Sequence, residues 1–269
     1  MSRLEQLLET PEPHEHLLQL YGSDERLLGD NVGHYLAEGL KLGNGLLVIA
    51  TKVHNAAFAR QMEHDGADPV VAVESGRAIF MDAADTLAQF MNGGQPDWPA
   101  FENTIGSSIR EFQSRANGGV RVYDELVGLL WNSGKYSAAN RLEMFWNKLL
   151  KSDLFNLFCA YPIDVFGNEF QTAALDTLLC AHTHLLSAGE EGDLEHAILR
   201  SMADILGRRA DGMRILMEKE SQPSWRSMPK AEANILWLRN NIPDEAEKIL
   251  SRARHYYQTS HPRALAPVH

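Results

Sequence analysis

Apolar and polar positions follow two rhythms along this chain. Residues 45–51, GLLVIAT, are an apolar run without alternation, preceded by the Gly43-Asn44-Gly45 turn and followed by the polar Lys52 and His54. A strand open to solvent on one face would carry a polar residue at every second position, so the run predicts a strand covered on both faces, the central strand of a parallel sheet. Further strands are predicted over 16–21 (HLLQLY), 69–73, 78–83 (AIFMDA), 120–126 (VRVYDEL) and 154–162 (LFNLFCAYP). Helical spacing fills the intervals at 24–42, 54–64, 84–91, 96–115, 137–151 and 168–186. Phe101, Ile105, Ile109 and Phe112 recur every three or four residues, as do Leu142, Phe145, Trp146 and Leu149, so both sets predict core-facing stripes. A short leading helix over 2–10 stops at Pro11-Glu12-Pro13.

Strands alternating with helices from 15 to 187 predict a three-layer α/β fold with a mostly parallel sheet. Beyond the break at 189–193 the period is helical throughout, over 194–220, 231–241 and 244–258. The chain therefore divides into a sheet domain, 14–188, and a C-terminal helical appendage, 193–260, read as a hairpin lying on the sheet domain or as a dimerisation element. Residues 261–269 are expected to fray.

In parallel sheets, ligands bind just past the carboxyl ends of the strands. That rule selects Thr51 and His54 after the central strand. It also selects Asp82, which can cap the next helix or meet a ligand, and the pair Asp124-Glu125, which can bind a metal, act as a base or cap a helix. The loop after the first strand, YGSDERLLGDN, has neither the glycine cluster nor the Lys-Ser/Thr pair of a phosphate loop. His16, His54, His182, His184, Cys159 and Cys180 carry metal-ligating chemistry. On a continuous helix over 168–186, Cys180 and His184 would share a face while His182 would point elsewhere. Two ligands do not complete a site, so neither metal nor cofactor is expected. Nucleophile-elbow, HExxH and paired CxxC motifs are absent, and no catalytic residue is assigned.

Composition narrows the function further. A net charge of -11 disfavours direct nucleic-acid binding and an electrostatic grip on anionic membranes. No apolar stretch is long enough to span a bilayer and no leader pattern opens the sequence, so a cytoplasmic location is expected. Cys159 and Cys180 are then expected to be reduced, and a disulfide between them is the less favoured alternative.

Several segments in collinear order, HLLQLY, GLKLGNGLLVIATKVH, GRAIFMDAADTLAQFMNGGQPD, VRVYDELVGLLWNSGKYSAANRLEMFWNKL, FNLFCAYP and LLCAHTH, resemble the MEDS family, the sensory domain of methanogens and methylotrophs typified by DcmR. The resemblance covers about residues 14–188. It implies a degenerate RecA/KaiC-like fold, with which the missing phosphate loop agrees. It also implies a non-enzymatic sensing domain for a small organic, C1 or hydrocarbon-derived ligand, working with a kinase, sigma factor or transcription machinery as regulatory partner. The positions that match the family's pattern are His16, Tyr21, Thr51, His54, Asp82, Glu125, Trp131, Glu143, Trp146, Cys159, Tyr161, Cys180 and His184. Trp146 and Glu143 are set apart as packing or pairing residues, and the others except Trp131 are the expected ligand-binding set. The tail shows no helix-turn-helix and no kinase ATP-binding domain; it allows a homodimer. His196 superficially resembles a phospho-accepting histidine, though exposed helix histidines are commoner. Two alternatives stand beside the sensor: an adaptor or anti-sigma-like protein whose crevice is filled by side chains, and a degenerate nucleotide-binding ATPase with Glu125 as base.

Overall fold

The computed structural model describes residues 3–115, 118–171, 178–190, 192–220 and 228–260. In chain order the strands are β1 (His16–Leu20), β2 (Gly45–Ala50), β3 (Ala78–Asp82), the two halves of a short hairpin β4 (Met91–Asn92) and β5 (Gln95–Pro96), β6 (Val120–Asp124), β7 (Asn156–Tyr161) and β8 (His184–Leu186). Six of them form one sheet in the order β3-β2-β6-β7-β1-β8, and every pairing in it is parallel. The all-parallel sheet and the flanking helices confirm the α/β class expected from the alternating pattern.

The helices are α1 (Arg3–Glu9), α2 (Arg26–Lys41), α3 (Lys52–His64), α4 (Pro69–Glu74), α5 (Ala83–Phe90), α6 (Trp98–Phe101), α7 (Ser107–Arg115), α8 (Leu126–Asn132), α9 (Tyr136–Ser152), α10 (Asp193–Leu206), α11 (Ala210–Glu220), α12 (Lys230–Asn241) and α13 (Pro243–Ser260). The central strand shows why both faces are covered. Leu46, Val48 and Ala50 join the apolar cluster built with α1 to α4, whereas Leu47 and Ile49 join the one built with α5 to α9. All five are fully buried, and each of the larger side chains contributes roughly 1.5–3 kcal/mol by leaving water. Close approach also fixes the fit of helix to sheet. A Cβ on Gly128 of α8 would stand 2.7 Å from the backbone carbonyl oxygen of Ala160 on β7, so only glycine lets the helix lie there.

Three predicted elements take a different form. Residues 69–74 are helical instead of extended, because Asp68 caps the segment, accepting from Val71 N at 3.0 Å, and Pro69 occupies the first turn. Local capping outweighs the β-branched valines. The long helix opened by the Asp97 cap is interrupted by a π-helical turn, Glu102–Gly106. The third is the stretch 168–186, which is not one helix: a helical turn at 178–181 gives way to β8. His182 Nδ1 donates to Leu178 O at 2.6 Å and closes that turn, and Thr183 N then donates to His16 O at 2.8 Å and starts the pairing with β1. Residues 172–177 of the predicted 168–186 helix, and the 261–269 end expected to fray, lie outside the described residues.

The C-terminal helices share the apolar cluster of α8 and α9, through Leu194, Ile198, Ile235, Trp237, Ile249 and Leu250 among others. Glu232 of α12 accepts from Ala188 N at 2.7 Å, just past β8. Arg239 donates to the carbonyls of Phe166 and Phe170. Among the described residues no helix is long and apolar enough to cross a membrane.

Candidate functional site

Two groups of polar residues stand out, one at the carboxyl edge of the sheet and one buried beneath it. The chain leaving β1 passes to the α2 side, and the chains leaving β6 and β7 pass to the α9 side, so the loops part at this edge and leave a crevice. The crevice has a volume of about 530 Å³ and is lined by Tyr21, Glu25, Thr51, His54, Glu125 and Asp164 together with apolar Leu129 and Pro162. Four of the expected ligand-binding residues therefore come together here.

Each is held by its element's end. Thr51 caps α3, its hydroxyl accepting from His54 N at 3.3 Å, while its own N donates to Glu125 Oε2 at 2.9 Å. His54, on the first turn of α3, lies between two carboxylates. Nε2 meets Glu25 Oε2 at 3.1 Å and Nδ1 lies 2.9 Å from Glu125 Oε1. The Nδ1 approach is off the N–H direction, a charge contact more than an aligned hydrogen bond. Burial pushes the His54 imidazole down, but the contacts and charges of Glu125 and Glu25 outweigh it and raise it above the ordinary histidine value. Tyr21 stands edge-on to the ring at 5.9 Å, and burial beside Glu125 and Glu25 raises its phenol.

The sign of that shift gives a testable pH dependence. A cation favoured in the folded state stabilises it fully below the unfolded histidine value of about 6.5, and this contribution is lost as pH rises through the raised folded value. The expected outcome is that His54→Gln removes a component of stability present at pH 6 and absent at pH 9. Urea titrations of both proteins at each pH check it; an unchanged difference between the two pH values would show that His54 is not the titrating group.

The second group lies beneath the sheet, between β1, β7 and α9. His16 Nε2 is 3.2 Å from Cys159 Sγ and 3.7 Å from Glu143 Oε2, and His182 Nε2 is 3.5 Å from Glu143 Oε1. Tyr161 donates to Glu143 Oε1 at 2.6 Å. Asp124 accepts from Trp146 Nε1 at 2.8 Å and from Leu126 N at 3.0 Å. Burial lowers His16 well below its ordinary value and His182 to about 4, and it raises Glu143 to about 7 against the Tyr161 hydrogen bond. Burial and the neighbouring Glu143 and Asp124 likewise push the Cys159 thiol up, which favours its protonated form, and none of the described crevices reaches it.

His16, Cys159 and Tyr161 thus belong to the buried group and not to the crevice. Asp82 belongs to neither: its carboxylate accepts from Asp85 N at 3.0 Å and caps α5. Cys180 is exposed, and His184 lies on β8, meeting Glu15 Oε1 at 3.0 Å, so the two share no helix face. Both cysteines are free. Trp131 packs edge-on against Tyr136 and Tyr161, and His196 is exposed on α10. Glu25 and Asp164 are outside the expected set, and His182, expected only as a residue of metal-ligating chemistry pointing away from Cys180 and His184, joins the buried group. The strand-end rule that found Thr51 also reaches Glu25 and Asp164, each four residues or fewer past a strand or its flanking tyrosine. The placement of His182 beside His16 and Glu143 had no such signal, because it depends on the helix-to-strand change after residue 181.

A covered, all-parallel sheet with helices on both faces and a polar crevice at its carboxyl edge defines an α/β class. Within that class the chain belongs to the MEDS family, the methanogen/methylotroph DcmR sensory domain, whose sequence profile matches residues 15–183. No curated protein matches the chain significantly. Membership carries a sensing role, and the match extends over both polar groups.

Proposed function

We propose that the chain is a non-enzymatic sensing module that binds a small organic molecule in the carboxyl-edge crevice and reports occupancy through its C-terminal helices to a regulatory protein partner. The observation that carries this reading is the Glu25–His54–Glu125 row along a cavity of about 530 Å³, which offers acceptors and one imidazole to a ligand able to donate hydrogen bonds. Small alcohols and amines fit that wall better than fully apolar halocarbons. An output route is at hand: Asp164 lines the crevice and also pairs with Arg254 of α13 at 2.7 Å. An open cavity of this size argues against the adaptor reading, which fills the crevice with side chains. The ATPase reading lacks a lysine in the loop between Tyr21 and Glu25.

A thermal-shift series with small alcohols, amines, halocarbons and short organic acids, and separately with Mg-ATP, tests the proposal. A ligand at about 100 times its dissociation constant adds roughly 2.7 kcal/mol, a rise of several degrees for a chain of this size. The expected result is a rise with one organic class that is lost in His54→Gln. A rise with Mg-ATP alone would transfer the crevice to nucleotides, and no rise with any compound would return the adaptor reading.

A further inference from the structure

The buried group under β1 and β7 contains a set of four ligating side chains. One ligand atom from each of His16, Glu143, Cys159 and His182 lies within 4.8 Å of the others. Between proposed ligand atoms, the 3.2 Å from His16 Nε2 to Cys159 Sγ and the 3.7 Å from His16 Nε2 to Glu143 Oε2 are close to the edge of a tetrahedron whose ligand bonds are roughly 2.0–2.3 Å, an edge of about 3.3–3.7 Å, and His182 Nε2 reaches the other oxygen of the same carboxylate at 3.5 Å.

The hydrogen bonds around these residues orient them in one way. His16 Nδ1 lies 2.9 Å from Ala181 O and His182 Nδ1 lies 2.6 Å from Leu178 O. A carbonyl only accepts, so both Nδ1 atoms carry the proton and both Nε2 atoms present a lone pair to the group's centre. Such a carbonyl behind each imidazole is the usual outer support of a metal-bound histidine. On Glu143, Tyr161 occupies Oε1 and leaves Oε2 without a hydrogen-bond partner, and His182 Nε2 also has none, although both atoms are buried. Leaving buried polar atoms unpaired costs about 1–3 kcal/mol each, a cost a ligated cation removes.

Charge points the same way. Among the described residues no lysine or arginine comes within ion-pair distance of Glu143 or Asp124. A divalent ion bound by one thiolate and one carboxylate forms a neutral unit, which is what a buried site tolerates.

We propose that His16 Nε2, His182 Nε2, Cys159 Sγ and Glu143 Oε2 bind one divalent transition-metal ion, zinc by the character of the donor set. Nitrogen, sulfur and oxygen donors in tetrahedral array suit zinc, and four protein ligands make the closed type of site. On binding, Cys159 gives up its S–H proton to solvent and the ion takes the place of that proton against His16 Nε2. The ion joins β1, β7, α9 and the segment that leads into β8, so it fastens the edge of the sheet next to the C-terminal helices. The site does not depend on the crevice reading, since no crevice-lining residue is a ligand.

Cobalt(II) titration of the chelator-treated full chain, followed by absorption, provides the test. The expected result is one equivalent per chain with the intense visible bands of tetrahedral cobalt and a thiolate-to-cobalt charge-transfer band, all bleached by zinc. Cys159→Ser is expected to lose the charge-transfer band, His182→Gln to weaken binding by roughly 100-fold or more, and Cys180→Ser to behave as the parent. Circular dichroism verifies that each variant is folded, and metal content of the parent is independent of any variant. Absence of stoichiometric binding by the parent, a weak octahedral spectrum, or a charge-transfer band that follows Cys180 instead of Cys159 would each overturn the proposal.

Discussion

Replacing Arg121 with alanine is expected to lower the stability of the fold by about 3–5 kcal/mol, a fall of roughly 8–15 °C in melting temperature. Arg121 begins the second position of β6 and is 2% exposed, a cation taken almost wholly from water. Its guanidinium is held by neutral acceptors: Nε donates to Asn44 Oδ1 at 2.9 Å, Nη1 to Leu8 O at 2.7 Å and Tyr35 O at 2.6 Å, and Nη2 to Glu9 O at 2.6 Å. Leu8 O and Glu9 O close the C-terminal turn of α1, where the helix dipole is negative. The Tyr35 ring adds a face 4.8 Å from the guanidinium carbon.

Burial lowers the Arg121 pKa, yet the side chain stays charged, so its loss leaves several carbonyls unpaired around a cavity. Room for it depends on Gly39, where a Cβ would come within 2.6 Å of Arg121 Cδ. Arg121→Lys is expected to recover little, because a point charge on a flexible stem cannot reach acceptors spread around a planar fork. Arg115→Ala, at an exposed i,i+4 pair with Glu111, should change stability by less than about 0.5 kcal/mol. Denaturant titration of the three variants checks the order, and an Arg121→Lys protein as stable as the parent would show that the fork geometry contributes nothing.

Trp146 is the second position of large effect. It is fully buried in α9, packs edge-on against Phe101 at 5.1 Å and donates Nε1–H to Asp124. Trp146→Ala is expected to cost about 3–5 kcal/mol through the cavity alone. Trp146→Phe keeps most of the volume but strands the Asp124 oxygen, for about 1–3 kcal/mol. Calorimetry on the pair separates packing from hydrogen bonding; equal stability of the phenylalanine variant and the parent would remove the hydrogen bond from the account.

These two residues also mark how far a sequence can be read. Trp146 was visible as core because its neighbours Leu142, Phe145 and Leu149 repeat at helical spacing, and β2 was visible because nothing polar interrupts it. Arg121 gave no such signal: its partners come from α1, α2 and the loop before β2, brought together only by the sheet order. The crevice was partly legible, since strand ends are local features and Thr51, His54 and Glu125 sit at them. The buried group was legible only in the ligating chemistry of His16, Cys159 and His182, and not in its assembly. It joins residues 16, 143, 159 and 182 from four elements, and its last member depends on a turn ending where the apolar pattern allowed a longer helix.

The burial of α12 bears on how the chain is made. Residues 231–238 are enclosed on all sides, by neighbours that include Ser187 and Ala188 beside Glu232 and the carbonyls of Phe166 and Phe170 held by Arg239. A ribosome finishes β8 at Leu186 well before it reaches Ser260 at the end of α13. At about 5–20 residues per second that interval lasts roughly 4–15 s. Through it, the nascent sheet holds Leu185, Val165 and Phe170 without their eventual cover. That interval is a window in which the apolar face of the nascent sheet lies open, the kind of surface that chaperones exist to shield.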